Sequence, residues 1–177
     1  MKRCLIVAIG LVLSPCLASC ADTDTNYVEH ITALVGGATE IPVKLEGSQA
    51  AVTKAHFKPP VQIEIVAKTD STNLRMSYAA DEVIFNWEGD PEQLRIDGGP
   101  ANGKHERNAG DIPTKRYVTI RWLVTPTKQT IRVNDRLRFS HSGDYSRIDR
   151  PVRVFPAAGS TVTVKSIRVR QPPPGAK

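Results

Sequence analysis

Apolar residues recur at every second position over most of the chain after Tyr27, and that period predicts strands. Val61, Ile63, Ile65 and Ala67 alternate with Gln62, Glu64, Val66 and Lys68, and Val118, Ile120, Trp122 and Val124 form a second long run. Shorter runs hold Ile31, Ala33 and Val35; Ile41, Val43 and Leu45; Leu74, Met76 and Tyr78; Val83, Phe85 and Trp87; and Leu94 with Ile96. Ile131 with Val133 and Leu137 with Phe139 follow the central run. In the last strand Val162 and Val164 change phase to Ile167 and Val169. A one-residue slip would turn the core set to solvent, so a bulge is expected near Lys165-Ser166. No window sustains the i, i+3, i+4, i+7 spacing of an amphipathic helix.

Turn formers separate the runs, among them Gly36-Gly37, Pro59-Pro60, Asp97-Gly98-Gly99-Pro100 and Asn134-Asp135. Short strands punctuated by 12 Gly and 13 Pro predict an all-β chain, an antiparallel β-sandwich or barrel over residues 27–170. The Pro-rich end, residues 171–177, is expected to be an extended or disordered tail.

The first twenty residues follow a different rule. Lys2 and Arg3 precede the apolar stretch Leu5 to Leu13, Ser14-Pro15 breaks it, and small residues lead to Leu17-Ala18-Ser19-Cys20. This is the order of an export signal, and the apolar stretch is shorter than the ~20 residues of a membrane span. Leu17 to Cys20 resembles the lipobox of bacterial lipoproteins. That resemblance implies a signal over residues 1–19, acylation of Cys20, a tether over 20–26, and a lipid bilayer as partner. Ala21 after the cysteine, where some lipoproteins carry an inner-membrane Asp, implies the outer membrane or cell surface. An ordinary secretory signal or an uncleaved anchor are the competing readings. All three cysteines, Cys4, Cys16 and Cys20, fall in this segment, so the exported domain holds no disulfide and relies on packing. Asp22-Thr-Asp24-Thr-Asn26 imitates the opening of a calcium loop, but Tyr27 and Ala33 stand where Gly and Glu are required.

A resemblance arises in the central block. Arg116-Tyr-Val-Thr-Ile-Arg-Trp-Leu-Val124, a Thr-Pro-Thr-Lys turn and Gln129-Thr-Ile-Arg-Val-Asn134-Asp135 look like the best-marked part of concanavalin A-like sandwiches. The closing strand, Ala158 to Arg170, is similar to that of 3-keto-disaccharide hydrolase-like domains of the same superfamily. The resemblance implies a concanavalin A-like jelly roll and carbohydrate as the ligand class.

Its glucanases place acids in the order Glu-x-Asp-x-x-Glu on one strand. The nearest stretch here, Gln62 to Lys68, has only Glu64, so that mechanism is rejected. Asp81-Glu82 read as a solvated turn. His30, His56, His105 and His141 lack metal-ligand spacing, and Ser140-His141-Ser142 is no triad. No metal and no cofactor is implied.

The most informative polar stretch runs from Phe85 to His105. Asn86, Trp87, Glu88, Arg95, Asp97, Asn102 and His105 are the candidate ligand-binding residues, because sugars stack on aromatic rings while amides and charged groups take their hydroxyls. Asp97 to Ile112 reads as a long, glycine-rich functional loop. The competing reading puts Trp87 in the core behind Val83 and Phe85, and Trp122 is core by the same alternation.

The 24 basic and 18 acidic residues give a net charge of +6; without Lys2 and Arg3 the balance is 22 to 18, or +4. Arg132, Arg136, Arg138, Arg147, Arg150, Arg153, Arg168 and Arg170 crowd the last third. They suit a solvated sheet face with protected edges, or attraction to anionic glycan or lipid headgroups. No nucleic-acid recognition motif is present. The sequence thus predicts a lipid-anchored, exported module that binds carbohydrate or another envelope component without catalysis. A glycoside-processing enzyme and a structural lipoprotein with a protein partner are the alternatives.

Overall fold

Residues 28–31 and 42–172 are described by a computed structural model. The longest alternating runs become the centre of one sheet. β4 (Val61–Thr69) buries Val61, Ile63, Ile65 and Ala67 and half-exposes every residue between them. It pairs antiparallel with β9 (Val118–Thr125), whose Ile120 and Trp122 stand opposite Ile65 and Ile63. The remaining strands are β1 (Val28–Ile31), β2 (Val43–Glu46), β3 (Ala51–Val52), β5 (Leu74–Ser77), β6 (Glu82–Phe85), β7 (Leu94–Asp97) and β8 (Lys104–Glu106). β10 (Lys128–Val133), β11 (Arg136–Ser142), β12 (Arg153–Phe155) and β13 (Thr161–Gln171) complete the order.

Two antiparallel sheets result. One has the order β1-β13-β4-β9-β10-β11, with β2 on the Thr161–Val164 end of β13 and β1 on its Arg168–Gln171 end. The other has the order β3-β12-β5-β6-β7-β8. Their facing sides make one core, so the chain is an all-β, two-sheet jelly-roll sandwich. The expected bulge in β13 is present, as the register against β4 shifts between Val164 and Ser166 and keeps both apolar sets inward. Asn134 and Asp135 join β10 to β11 with φ of 48° and 65°, the left-handed pair that suits a two-residue hairpin.

The core draws on residues from Leu45 to Val169, with Val43 packed against it. The chain from Ala21 onward therefore carries every core residue among those described. Trp122 is fully buried at the centre, edge-on to Tyr78 with ring centroids 6.1 Å apart. Its indole N–H donates to Gln129 Oε1 at 2.8 Å, and Gln129 is itself fully buried. Burial pushes the Tyr78 phenol well above its ordinary range, and its hydroxyl donates to the Phe57 carbonyl at 3.1 Å.

Two expectations change. The stretch from Asp97 to Ile112 is not one long loop. Gly98 and Gly99 take φ of 74° and 65°, a 3₁₀ turn covers Gly99–Ala101, and β8 returns to pair with β7. Strand β6 also stops at Phe85 rather than running through Trp87, because Asn86 adopts φ 49°. Residues 1–27, 32–41 and 173–177 lie outside the described residues, and with them the signal, Cys20, the tether, most of the tail, Ala33 and Val35 of the first run, the Gly36-Gly37 turn and Ile41 of the second run.

Gln129→Leu keeps the bulk of the side chain but strands the Trp122 N–H. It is expected to lower the unfolding free energy by about 1–3 kcal/mol in denaturant titration.

Candidate functional site

Outward-pointing residues of the six-stranded sheet form rows across the strands. Arg75 of β5 stands opposite Ile84 of β6, Ile84 opposite Arg95 of β7, and Arg95 opposite His105 of β8. In the next row Glu82 stands opposite Asp97. Side chains in one row sit about 4.8 Å apart, strand to strand. Ile84, although on the outer side, is only 2% exposed between its arginine neighbours.

Asn86 brings Trp87 to this face. Strict alternation would send Trp87 inward after Val83 and Phe85, but the left-handed turn at Asn86 breaks the period. The Trp87 ring is half-buried on the outer side instead of in the core. The Arg95 guanidinium lies 5.0 Å from its centroid, and the His105 ring meets it edge-on at 5.8 Å. A Cβ on Gly89 would come within 2.7 Å of Trp87 Cζ2, so the indole rests directly against the Gly89 backbone.

Charge is arranged in local pairs. Arg95 Nε lies 2.8 Å from Asp97 Oδ2, off its N–H axis, which makes the contact an ion pair without a hydrogen bond. Arg75 binds Glu82 at 3.0 Å and reaches Glu88 at 3.7 Å. His105 Nδ1 is 3.1 Å from Gln93 Oε1, and Gln93 Nε2 donates to Asp90 at 2.7 Å. The face therefore presents donors, acceptors and the Trp87 ring in fixed relation, with Phe155 of β12 opposite Arg75 at the far end of the row. Part of each polar group's hydrogen-bonding capacity is already oriented by its neighbours.

Of the sequence candidates, Trp87, Glu88, Arg95, Asp97 and His105 come together. Asn86 does not join them. It is buried, its amide donating to the Ile112 carbonyl at 2.9 Å and its Oδ1 accepting from the Ile112 N–H at 2.8 Å. Asn102 lies on the hairpin beyond β7, where its Oδ1 accepts from the Gly98 N–H at 2.7 Å. Arg75 and Gln93 belong to the cluster and escaped the sequence reading, and Glu82, read as part of a solvated turn, lies on β6 and joins them. Strand register, which sets Arg75 and Arg95 in one row and Glu82 opposite Asp97, is what could have found Arg75 and Glu82.

The other polar features serve elsewhere. His141 is stacked on Phe139 and lies 2.8 Å from the Tyr145 hydroxyl. Asp81 pairs with Arg150 at 2.6 Å, away from Glu82's partner Arg75. Among the described residues no three metal-ligating side chains converge, and no helix is long and apolar enough to cross a membrane. The C-terminal arginines disperse: Arg132 and Arg168 lie on the outer side of the seven-stranded sheet, Arg153 on that of the six-stranded sheet, and Arg147 and Arg150 line a groove of about 170 Å³ with Tyr78 and Pro100.

No protein-family model and no curated protein matches the sequence. Solved structures do match the fold. The galectin LEC-6 of Caenorhabditis elegans superposes with a TM-score of 0.52 at 12% identity, over 80% of this chain and 94% of that one. The Crh5 transglycosylase gives 0.56 at 14% identity over 82% and 84%. A family GH16 endo-β-1,3(4)-glucanase gives 0.50 at 15% identity over 69% and 64%. The chain has the concanavalin A-like sandwich fold that these lectin and glycosidase structures share.

Gly89→Val would push the indole off its seat. Because Trp122 is buried, the change is expected as a red shift of the Trp87 contribution to emission, with the melting temperature lowered by no more than a few degrees.

Proposed function

We propose that the protein is an exported, lipid-anchored module that binds carbohydrate through the outer face of its six-stranded sheet, without catalysis. The observation that carries the reading is the meeting of Trp87, Arg95, Asp97, His105 and Glu88 on one exposed face. The structural neighbours add support, since they include a galectin and a Crh5 transglycosylase solved in complex with NAG. A sugar has an apolar C–H face for the indole and hydroxyls for the guanidinium and carboxylates around it. Arg95 covers part of the ring, so a ligand would share the guanidinium with Asp97 or displace it from the indole.

Titration of the chain from Ala21 onward against a panel of neutral and acidic polysaccharides tests this. Binding is expected, with at least a tenfold loss on Trp87→Ala at unchanged circular dichroism. No binding to any member of the panel overturns the reading. A second reading, a glycoside-processing enzyme, is favoured by one observation: Glu82 and Asp97 are direct cross-strand partners on the same face. Each carboxylate is held by its own arginine, which argues for a binding role. Turnover of a glycoside panel that Asp97→Asn abolishes would reverse that preference.

The lipid anchor rests on Leu17-Ala18-Ser19-Cys20. Metabolic labelling with a tritiated fatty acid is expected to mark the full chain and to be lost on Cys20→Ser.

A further inference from the structure

The outer face of the seven-stranded sheet differs in charge from the site just described. Lys165 and Arg168 of β13, Lys68 of β4, Arg121 of β9, and Lys128 and Arg132 of β10 project from it, as the alternation with buried neighbours requires. Arg168, Glu64, Arg121 and Arg132 make one continuous row across the four strands. Among the described residues the carboxylates on this face are few. Glu64 binds Arg121 at 3.1 Å, Glu46 is held by Lys44 at 2.6 Å with Asp70 nearby, and Asp135 pairs with Arg121 at the hairpin margin. The described basic groups outnumber them. Three amphipathic or apolar side chains are exposed among these cations: Tyr117 at 41%, with Lys68 and Lys165 5.5 and 5.9 Å from its ring, Leu123 at 41%, and Leu137, opposite Arg132, at 51%.

We infer that this face docks on the surface of an anionic phospholipid bilayer. Four adjacent strands span roughly 15 Å of gently twisted sheet, a broad shape that meets a plane better than a narrow chain end. Lysine and arginine side chains beside an anionic leaflet are attracted within about a Debye length, and an exposed Tyr and Leu among them suit the headgroup boundary. The position of the chain start agrees. β1 begins at Val28 on the edge of this sheet, beside Arg168–Gln171 of β13. The eight residue steps from Cys20 to Val28 reach at most about 28 Å. An acyl chain at Cys20, as proposed above, would therefore hold the bilayer near this edge, and one acyl chain with a basic surface anchors far better than either signal alone.

The inference uses the lipid-anchor reading for orientation only, and its test contains no acyl group, so the two can fail separately. The chain from Ala21 onward, which carries every core residue among those described, is sedimented with phosphatidylcholine vesicles and with vesicles containing phosphatidylglycerol at about three parts in ten. Binding to the anionic vesicles alone is expected, weakening as salt rises. Lys128→Glu with Arg132→Glu, both at exposed positions, is expected to reduce it at least tenfold with melting behaviour retained. Lys104→Glu with Arg107→Glu, the same charge change on and beside the edge strand of the other sheet, is expected to change it less than threefold. Equal binding to both vesicle types overturns the inference, as does an equal loss in both double variants. Binding to a sulfated polysaccharide without binding to vesicles also overturns it and assigns the face to a soluble polyanion.

Discussion

The Asn86 side chain clamps the backbone of Ile112 from both sides, accepting its N–H and donating to its carbonyl, while the Asn86 N–H donates to the Gly110 carbonyl at 3.0 Å. These bonds hold residue 86 in the left-handed conformation that Asn tolerates better than most residues. Two results depend on that turn. The segment at 110–112 is fastened to the end of β6, and the alternation is broken one residue before Trp87. Without it Trp87 would continue the inward series of Val83 and Phe85, and the outer face would lose the indole that Arg95 overlies. A buried amide that is fully used in this way can be replaced only at the cost of stranded backbone groups, so the turn is strongly determined.

Charge is handled differently on the two outer faces. On the six-stranded sheet each of Arg75 and Arg95 has a carboxylate at 2.8–3.0 Å, and the groups neutralise one another in short range. Half-exposed pairs of this kind add little to stability because solvent screens them, so their main effect is to fix the angle of each side chain. Arg95 shows this, being drawn toward Asp97 while its plane lies over Trp87. On the seven-stranded sheet the row from Arg168 to Arg132 contains one carboxylate, Glu64, which Arg121 and Arg168 share. Hydrogen bonding to Glu64 raises the Arg121 pKa further above its already high range, so that residue stays cationic in any biological medium. Long-range attraction survives on this face and is cancelled on the other.

Much of the fold was legible because the core strands are long enough for their period to show. β4, β9 and β13 each bury three or more apolar residues in alternation, and even the bulge in β13 left its mark as a phase change between Val164 and Ile167. β3, β8 and β12 were missed for the opposite reason. With two or three residues each they offer no period, and every residue of β8 is exposed. The candidate site was half legible. Trp87, Glu88, Arg95, Asp97 and His105 lie within one stretch of chain, but Arg75 and Glu82 join them only through strand pairing. The basic face was harder still, since Lys68, Arg121 and Arg168 are far apart in sequence and meet through the register of β13, β4 and β9. Of the arginines in the last third, Arg132 and Arg168 belong to this face while Arg147, Arg150 and Arg153 lie elsewhere, because nearness in sequence does not place residues on one face.

A sandwich gives its two outer faces opposite normals, separated by a core about 10 Å thick between sheets. A protein of this shape can engage two partners at once only if they lie on opposite sides. The proposed bilayer face and the proposed sugar face meet that condition, since one belongs to the sheet holding β1 and β13 and the other to the sheet holding β6, β7 and β8. Docking by the basic face would turn Trp87 and Arg95 away from the lipid, toward whatever polymer lies beyond it. The reverse orientation would carry the more basic face outward, giving up the electrostatic attraction that favours surface binding. On that proposal the distribution of charge between the sheets, more than either site taken alone, would give the molecule a direction.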